Sequence, residues 1–178
     1  LDCGNGATYD IAPSIFWELG HQVVSINNKP NGKNINFNCG AVDVSSLCKK
    51  VVEEKANIGF AFDGDGDRLI VVDDKGNEID GDKIIALFAK YLIIEKKTAS
   101  KFPVVTTVMS NLGLENFLLK DLGIKLKRSP VGDINVIEEM KKNKSFLGGE
   151  QSGHIILSDF SKTGDGILAA LKITEIIS

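Results

Sequence analysis

Asp63, Asp65 and Asp67 stand at alternate positions, separated by Gly64 and Gly66, and Arg68 follows directly. Alternation with glycine lets the backbone curl until three carboxylates face one point. Three negative charges brought that close repel one another strongly unless a cation sits among them. A hard divalent ion with oxygen ligands, Mg²⁺ above all, suits the pattern. The loop leaves the apolar run 58–62, and strand ends are where α/β proteins place their sites. The bland alternative is a solvated acidic turn. A second loop, Gly148-Gly149-Glu150-Gln151-Ser152-Gly153-His154, gathers a carboxylate, an amide, a hydroxyl and an imidazole between glycines. Such a loop offers donors and acceptors to vicinal hydroxyls, as a sugar requires. A polar turn before a strand at 154–157 is its plain alternative.

Two other chemistries share the spelling of the acidic loop. An EF-hand starting at Asp63 needs Gly at its sixth position and Glu at its twelfth. Arg68 and Asp74 stand there, and that possibility fails. A haloacid-dehalogenase-type phosphatase also carries Asp-x-Asp-Gly after an apolar strand, with the first Asp, here Asp63, as nucleophile. Gly164-Asp165-Gly166 imitates a later acidic motif of such enzymes, but Ile167, Leu168 and Ala169 follow where a further acid is expected. The remaining candidates have ordinary explanations. Ser110 and Asn111 follow a strand, where substrate contact and helix capping by Asn111 compete. Nothing near Cys39 in sequence lowers a thiol pKa. Trp17 fits helix packing better than a stacking platform, and Lys49, Lys50, Glu53 and Glu54 form a solvated helical face. Asp165 fits a helix cap.

The elements that must position these loops follow a βα alternation. Strands are expected at 23–26, 58–62, 69–72 and 104–107. Ile11, Ile15 and Leu19 recur at helical spacing, as do Leu47 and Val51. Thr8 or Asp10 is placed to cap the first of these helices. Further helices are expected at 84–94, buried on most sides, at 111–122 with Gly123 as the stop, at 133–142 and at 166–177. The chain has 178 residues, 43% hydrophobic and 25% charged, the mix of a soluble globular protein. A net charge of -3 disfavours a nucleic-acid partner. No apolar run approaches the roughly 20 residues that span a bilayer, so no membrane role is expected. Three scattered cysteines, Cys3, Cys39 and Cys48, read as reduced thiols of a cytoplasmic protein. Turn formers at 73–77 suggest a division into 1–77, carrying the acidic loop, and 78–178, carrying the Glu150 loop. Leu1 in place of Met, within a strand-to-loop transition, suggests a piece of a longer protein.

Both loops, with Leu1-Asp2-Cys3-Gly4-Asn5-Gly6-Ala7-Thr8, resemble the α-D-phosphohexomutase superfamily. Asn34-Ile35-Asn36-Phe37-Asn38-Cys39-Gly40 and Val108-Met109-Ser110-Asn111-Leu112-Gly113 resemble its phosphoglucosamine branch more than the phosphomannomutase or phosphoglucomutase branches. The resemblance spans the whole chain and implies the second and third of four domains: two consecutive α/β domains with mixed sheets flanked by helices. It implies interconversion of glucosamine 6-phosphate and glucosamine 1-phosphate through a phosphoserine and a bisphosphate. Asp63, Asp65 and Asp67 would then hold Mg²⁺, and Arg68 would stand beside the transferring group. Gly149, Glu150 and Ser152 would meet the hexosamine phosphate, with His154 either aiding phosphate and proton handling or serving as a satisfied strand histidine. The phosphoserine loop and the fourth-domain phosphate loop have no match here, so the partners include the remaining domains of the full-length chain, and the stretch alone is expected to be inactive. Ile134 and Asn135 stand where this branch usually has Arg and Tyr after Gly132-Asp133, which removes an expected Arg contact.

Overall fold

Ile58-Gly59-Phe60-Ala61-Phe62 and Leu69-Ile70-Val71-Val72-Asp73 are β-branched and aromatic runs separated by a loop too short for a helix, and they pair as an antiparallel hairpin. These strands, β1 (Ile58–Phe62) and β2 (Leu69–Asp73), are joined by β3 (Glu78–Ile79) in the order β1-β2-β3. The computed structural model describes residues 1–96 and 102–178, with side chains through Leu92 in the helix that ends at Lys96. The described residues divide into a first unit, Leu1–Ile79 with Gly166–Glu175, and a second, Asp80–Asp165 with Ile176–Ser178.

In the first unit, helix α2 (Ser45–Glu54) lays Leu47 and Val51 on one sheet face, against Ala61, Ile70 and Val72. Phe60 faces the other way and meets Phe16 of α1 (Ile11–Glu18), ring centroids 5.6 Å apart. That contact sets the rotation of α1. Ala12 and Phe16 are buried, whereas Ile11 and Leu19 of the expected stripe are more than half exposed. Trp17 is 72% exposed and is not a packing residue within the unit. Asp10 occupies the N-cap position without a side-chain cap bond, and the Thr8 hydroxyl turns to the Cys3 carbonyl instead. The strand expected at 23–26 is not formed. Leu1–Cys3 reaches both Ile26 and β1, through the isolated bridges Asp2–Ile26 and Asp2–Ala61. The turn formers at 73–77 close the β2–β3 hairpin, the Asp73 carboxylate accepting the Lys75 and Asn77 N–H groups at 3.0 and 2.8 Å.

The second unit has the sheet order β5-β4-β6-β7, built from β4 (Val104–Thr107), β5 (Leu126–Ser129), β6 (Leu147–Gly149) and β7 (Ile155–Leu157). β4 runs parallel to β5 and β6, and β7 is antiparallel to β6. Helix α5 (Asp133–Asn143) packs Val136 and Met140 on Val105 and Ile156. Helix α3 (Gly81–Lys96) buries Ile84, Ile85, Phe88 and Ala89, and α4 (Leu112–Lys120) buries Leu114 and Leu118. The Asn111 side chain caps α4 by accepting the Gly113 N–H. Helix α6 (Gly166–Ile177) follows, its residues Gly166–Glu175 belonging to the first unit. Because β4, β5 and β6 share one direction, the loops after Thr107, Ser129 and Gly149 leave the same sheet edge.

Candidate functional site

The acidic loop is the six-residue connection of the β1–β2 hairpin, with Phe62 and Leu69 paired at its base. Each of Asp63, Asp65 and Asp67 offers an oxygen within 4.8 Å of the others, and they grade from buried Asp63 through half-buried Asp67 to exposed Asp65. The loop backbone is held at two points. The Gly64 carbonyl accepts the Ala7 N–H at 2.8 Å, and the Gly66 carbonyl accepts the Gly166 N–H at 2.9 Å. A Cβ on Gly166 would lie 2.7 Å from the Arg68 carbonyl oxygen and 2.9 Å from that of Gly66, so this approach requires glycine. The Arg68 N–H donates to Asp63 Oδ1 at 3.1 Å, and Arg68 Nε lies 3.6 Å from Asp63 Oδ2 and 4.0 Å from Asp67 Oδ1. Arg68 Nε is buried and makes no hydrogen bond.

Burial pushes the Asp63 carboxyl up to about 6, the Arg68 N–H opposes the shift, and the charges of Asp67 and Asp65 add to it. The folded loop therefore resists full ionisation by itself, which a cation would relieve. An all-carboxylate donor set with one exposed member fits a hard divalent ion that retains water.

The Glu150 loop lies in the second unit. Gly149 belongs to β6 and is buried there, paired with Thr106 and Ile155. Gly153 donates to the Glu150 carbonyl at 3.0 Å, closing a tight turn with exposed Gln151 and Ser152 at its tip. Glu150 Oε1 accepts the Gly132 N–H at 3.0 Å, so the residue is oriented from the start of α5. His154 is 2% exposed, and its Nε2 accepts the Gly164 N–H at 3.1 Å. That bond ties the Glu150 turn to the segment before α6 and matches the satisfied strand histidine. Asn135 Nδ2 turns to the Val131 carbonyl at 2.8 Å, while Ile134 is 67% exposed.

Several positions passed over in the sequence prove to shape this edge. Arg128 Nη1 donates to the Ser110 carbonyl at 2.7 Å and Nη2 to Glu115 at 3.0 Å. Asp82, only 4% exposed, accepts the Asn111 N–H at 2.7 Å. A polar residue inside the first turn of an apolar helix was the available signal. The three cysteines are free, and burial pushes each thiol up, Cys3 to about 11, which removes them from thiolate chemistry. Among the described residues, no helix is long and apolar enough to cross a membrane.

One α/β unit carries a three-carboxylate hairpin loop, and another carries a polar turn at the carboxyl ends of its parallel strands. Residues 1–76 match the phosphoglucomutase/phosphomannomutase alpha/beta/alpha domain II, and residues 80–178 match domain III. The chain belongs to the phosphoglucomutase/phosphomannomutase family. It is 51% identical over 177 residues to the phosphoglucosamine mutase of Rhizobium rhizogenes, covering 99% of this chain and 39% of that protein. It is 54% identical over 173 residues to the phosphoglucosamine mutase of Bartonella bacilliformis, covering 97% and 38%. The chain thus spans about two-fifths of the length of these relatives. A phosphoglucomutase/phosphomannomutase family protein of Burkholderia thailandensis superposes with a TM-score of 0.87 at 27% identity, covering 99% of this chain and 38% of that one. N-acetylphosphoglucosamine mutase of Aspergillus fumigatus, solved with GlcNAc-6P and magnesium, shares the fold with a TM-score of 0.75 at 18% identity, covering 98% and 42%.

Proposed function

We propose that the chain forms the second and third domains of a phosphosugar mutase that interconverts glucosamine 6-phosphate and glucosamine 1-phosphate. The observation that supports the substrate is identity of about half the residues, over nearly the whole chain, to proteins named phosphoglucosamine mutase. Asp63, Asp65 and Asp67 hold Mg²⁺, whose positive charge neutralises charge on the transferring phosphoryl group. Arg68 sits against Asp63 and Asp67 through Nε, and its guanidinium supplies a fixed positive charge beside the loop for an incoming phosphate. Glu150, held at one oxygen by Gly132, keeps Oε2 for sugar hydroxyls, and Ser152 adds a hydroxyl at the exposed tip. Gly149 and His154 serve by shape, one inside β6 and the other as a brace to Gly164. The phosphoryl carrier, a serine, lies outside this chain.

The test is the 178-residue chain incubated with Mg²⁺ and a panel of hexose and hexosamine phosphates, beside the full-length protein. The full-length protein interconverts the 6- and 1-phosphates of glucosamine, with the mannose and glucose phosphates as the alternative substrates of the family. The chain alone binds Mg²⁺ weakly and turns nothing over, because it lacks the nucleophile. Steady phosphate release by the chain that disappears in Asp63→Asn overturns the mutase in favour of an aspartyl-phosphate phosphatase.

A further inference from the structure

Helix α3 begins at Gly81, and its first N–H groups are already provided for. The Gly81 N–H donates to the Gln151 carbonyl at 3.0 Å, and the Lys83 N–H donates to Asp80 Oδ1 at 3.0 Å. Asp80 is therefore the cap. Asp82, one position into the helix, has no capping duty left, yet it is buried, an expensive location for a carboxyl group. One of its oxygens, Oδ2, accepts the Asn111 N–H at 2.7 Å, and the other, Oδ1, is buried with no hydrogen bond, as is the neighbouring hydroxyl of Ser110. Opposite, Arg128 holds the same β4–α4 turn by its Ser110 and Thr107 carbonyls, at 2.7 and 3.4 Å. The Glu150 turn rests directly on the first residue of α3. A Cβ on Gly81 would stand 2.1 Å from the Glu150 carbonyl oxygen and 2.8 Å from that of Gln151.

We propose that Asp82 is a positioning residue for the sugar side of the site, locking the 108–111 turn to the same helix start that carries the Glu150 turn. This rests on the assignment of the Glu150 turn to sugar binding. The two turns leave neighbouring parallel strands, β4 and β6, and without a common anchor each would settle independently. The backbone bond from Gly81 fixes one turn, the Asp82 carboxyl fixes the other, and a single rigid helix carries both. A sugar contacted from both turns then meets groups held in register, which favours binding by removing the cost of ordering them. The position of the acceptor matters here, and its charge does not.

The test compares Asp82→Ala, Asp82→Asn and Asp82→Glu in the full-length protein at saturating Mg²⁺. Asp82→Ala should raise KM for glucosamine 6-phosphate roughly 5- to 150-fold, the range for leaving the Asn111 N–H without its acceptor, with a smaller change in kcat. Asp82→Asn, which keeps an acceptor in place, should stay within about threefold of wild type, and Asp82→Glu, which keeps the charge but displaces it, should resemble Ala. The Mg²⁺ concentration for half-maximal activity should not move in any of them. Amide exchange of Asn111 and of residues 150–153, read on the same samples, should accelerate together in Ala and Glu and recover in Asn. Should Ala fail to fold, the Asn and Glu variants carry the same comparison. A wild-type protein that interconverts no hexose or hexosamine phosphate defeats the mutase assignment, whereas an active wild type matched in KM by Asp82→Ala or Asp82→Glu defeats the role of Asp82 alone. Exchange at Asn111 that is unchanged in Ala or Glu overturns it whatever the activity.

Discussion

Replacing Asp63 by Asn should stabilise the chain when no metal is present, although it removes the buried carboxylate of the proposed Mg²⁺ loop. Asp63 is 6% exposed. Its carboxyl is pushed up to about 6, first by burial and then by Asp67 and Asp65, against an unfolded value of about 3.9. Between those two values the folded state holds a proton that the unfolded state has lost, so stability falls as pH rises through that window. About two pK units at 1.36 kcal/mol each correspond to roughly 3 kcal/mol lost by neutral pH. Asn carries no charge, nearly the same shape, and an oxygen able to accept the Arg68 N–H. It forfeits the 3.6 Å approach of Arg68 Nε, which trims the net gain to about 1–3 kcal/mol. The assay is urea unfolding of wild type and Asp63→Asn in EDTA at pH 4.5 and 7.5. The variant should be the more stable at pH 7.5, and about a third of the charge penalty should remain at pH 4.5. Added Mg²⁺ should raise the stability of wild type with concentration and leave the variant almost unmoved. A variant less stable at pH 7.5, or a difference that persists unchanged at pH 4.5, would show that Asp63 is not held against its charge.

In the full-length protein, Asp65→Asn should lower turnover by orders of magnitude with the fold intact by circular dichroism, since Asp65 is the exposed member of the proposed Mg²⁺ site. Glu150→Ala should weaken sugar handling about 10- to 150-fold, the equivalent of roughly 1.5–3 kcal/mol, while Mg²⁺ affinity by calorimetry agrees with wild type. Gly81→Ala should cost at least about 1–3 kcal/mol in chemical denaturation, because its Cβ would stand 2.1 Å from the Glu150 carbonyl oxygen and the turn must shift.

The strands at 58–62 and 104–107 and the last helix were legible because short β-branched or aromatic runs and a long apolar stripe leave little choice of element. The acidic loop was legible for a different reason, since three carboxylates between glycines have few uses. What escaped depended on partners distant in the chain. The run 23–26 has strand composition, but its pairing with the first residues is a single bridge between Asp2 and Ile26. In α1, apolar spacing named Ile11, Ile15 and Leu19, whereas a single aromatic contact with Phe60 decided that Ala12 and Phe16 face inward. Leu126-Lys127-Arg128-Ser129 is polar for a strand and was not expected as one, because an edge position tolerates such residues. Asp82 was invisible for a related reason, as its value lies in a backbone N–H 29 positions away.

The grip of Gly166 on the Gly66 carbonyl spans 100 positions of sequence, and helix residues Gly166–Glu175 belong to the unit that opens the chain. At a synthesis rate of about 5–20 residues per second, the acidic hairpin emerges roughly 5–20 s before its second anchor exists. During that interval the hairpin has its strand pairing and the Ala7 bond, but its far side is open, and three carboxylates sit on a loop free to spread. The first unit thus waits on residues 166–175 before its acidic loop is held at both points. Contacts of such separation slow the final step, which makes the closing of the acidic loop a late event in the folding of its unit.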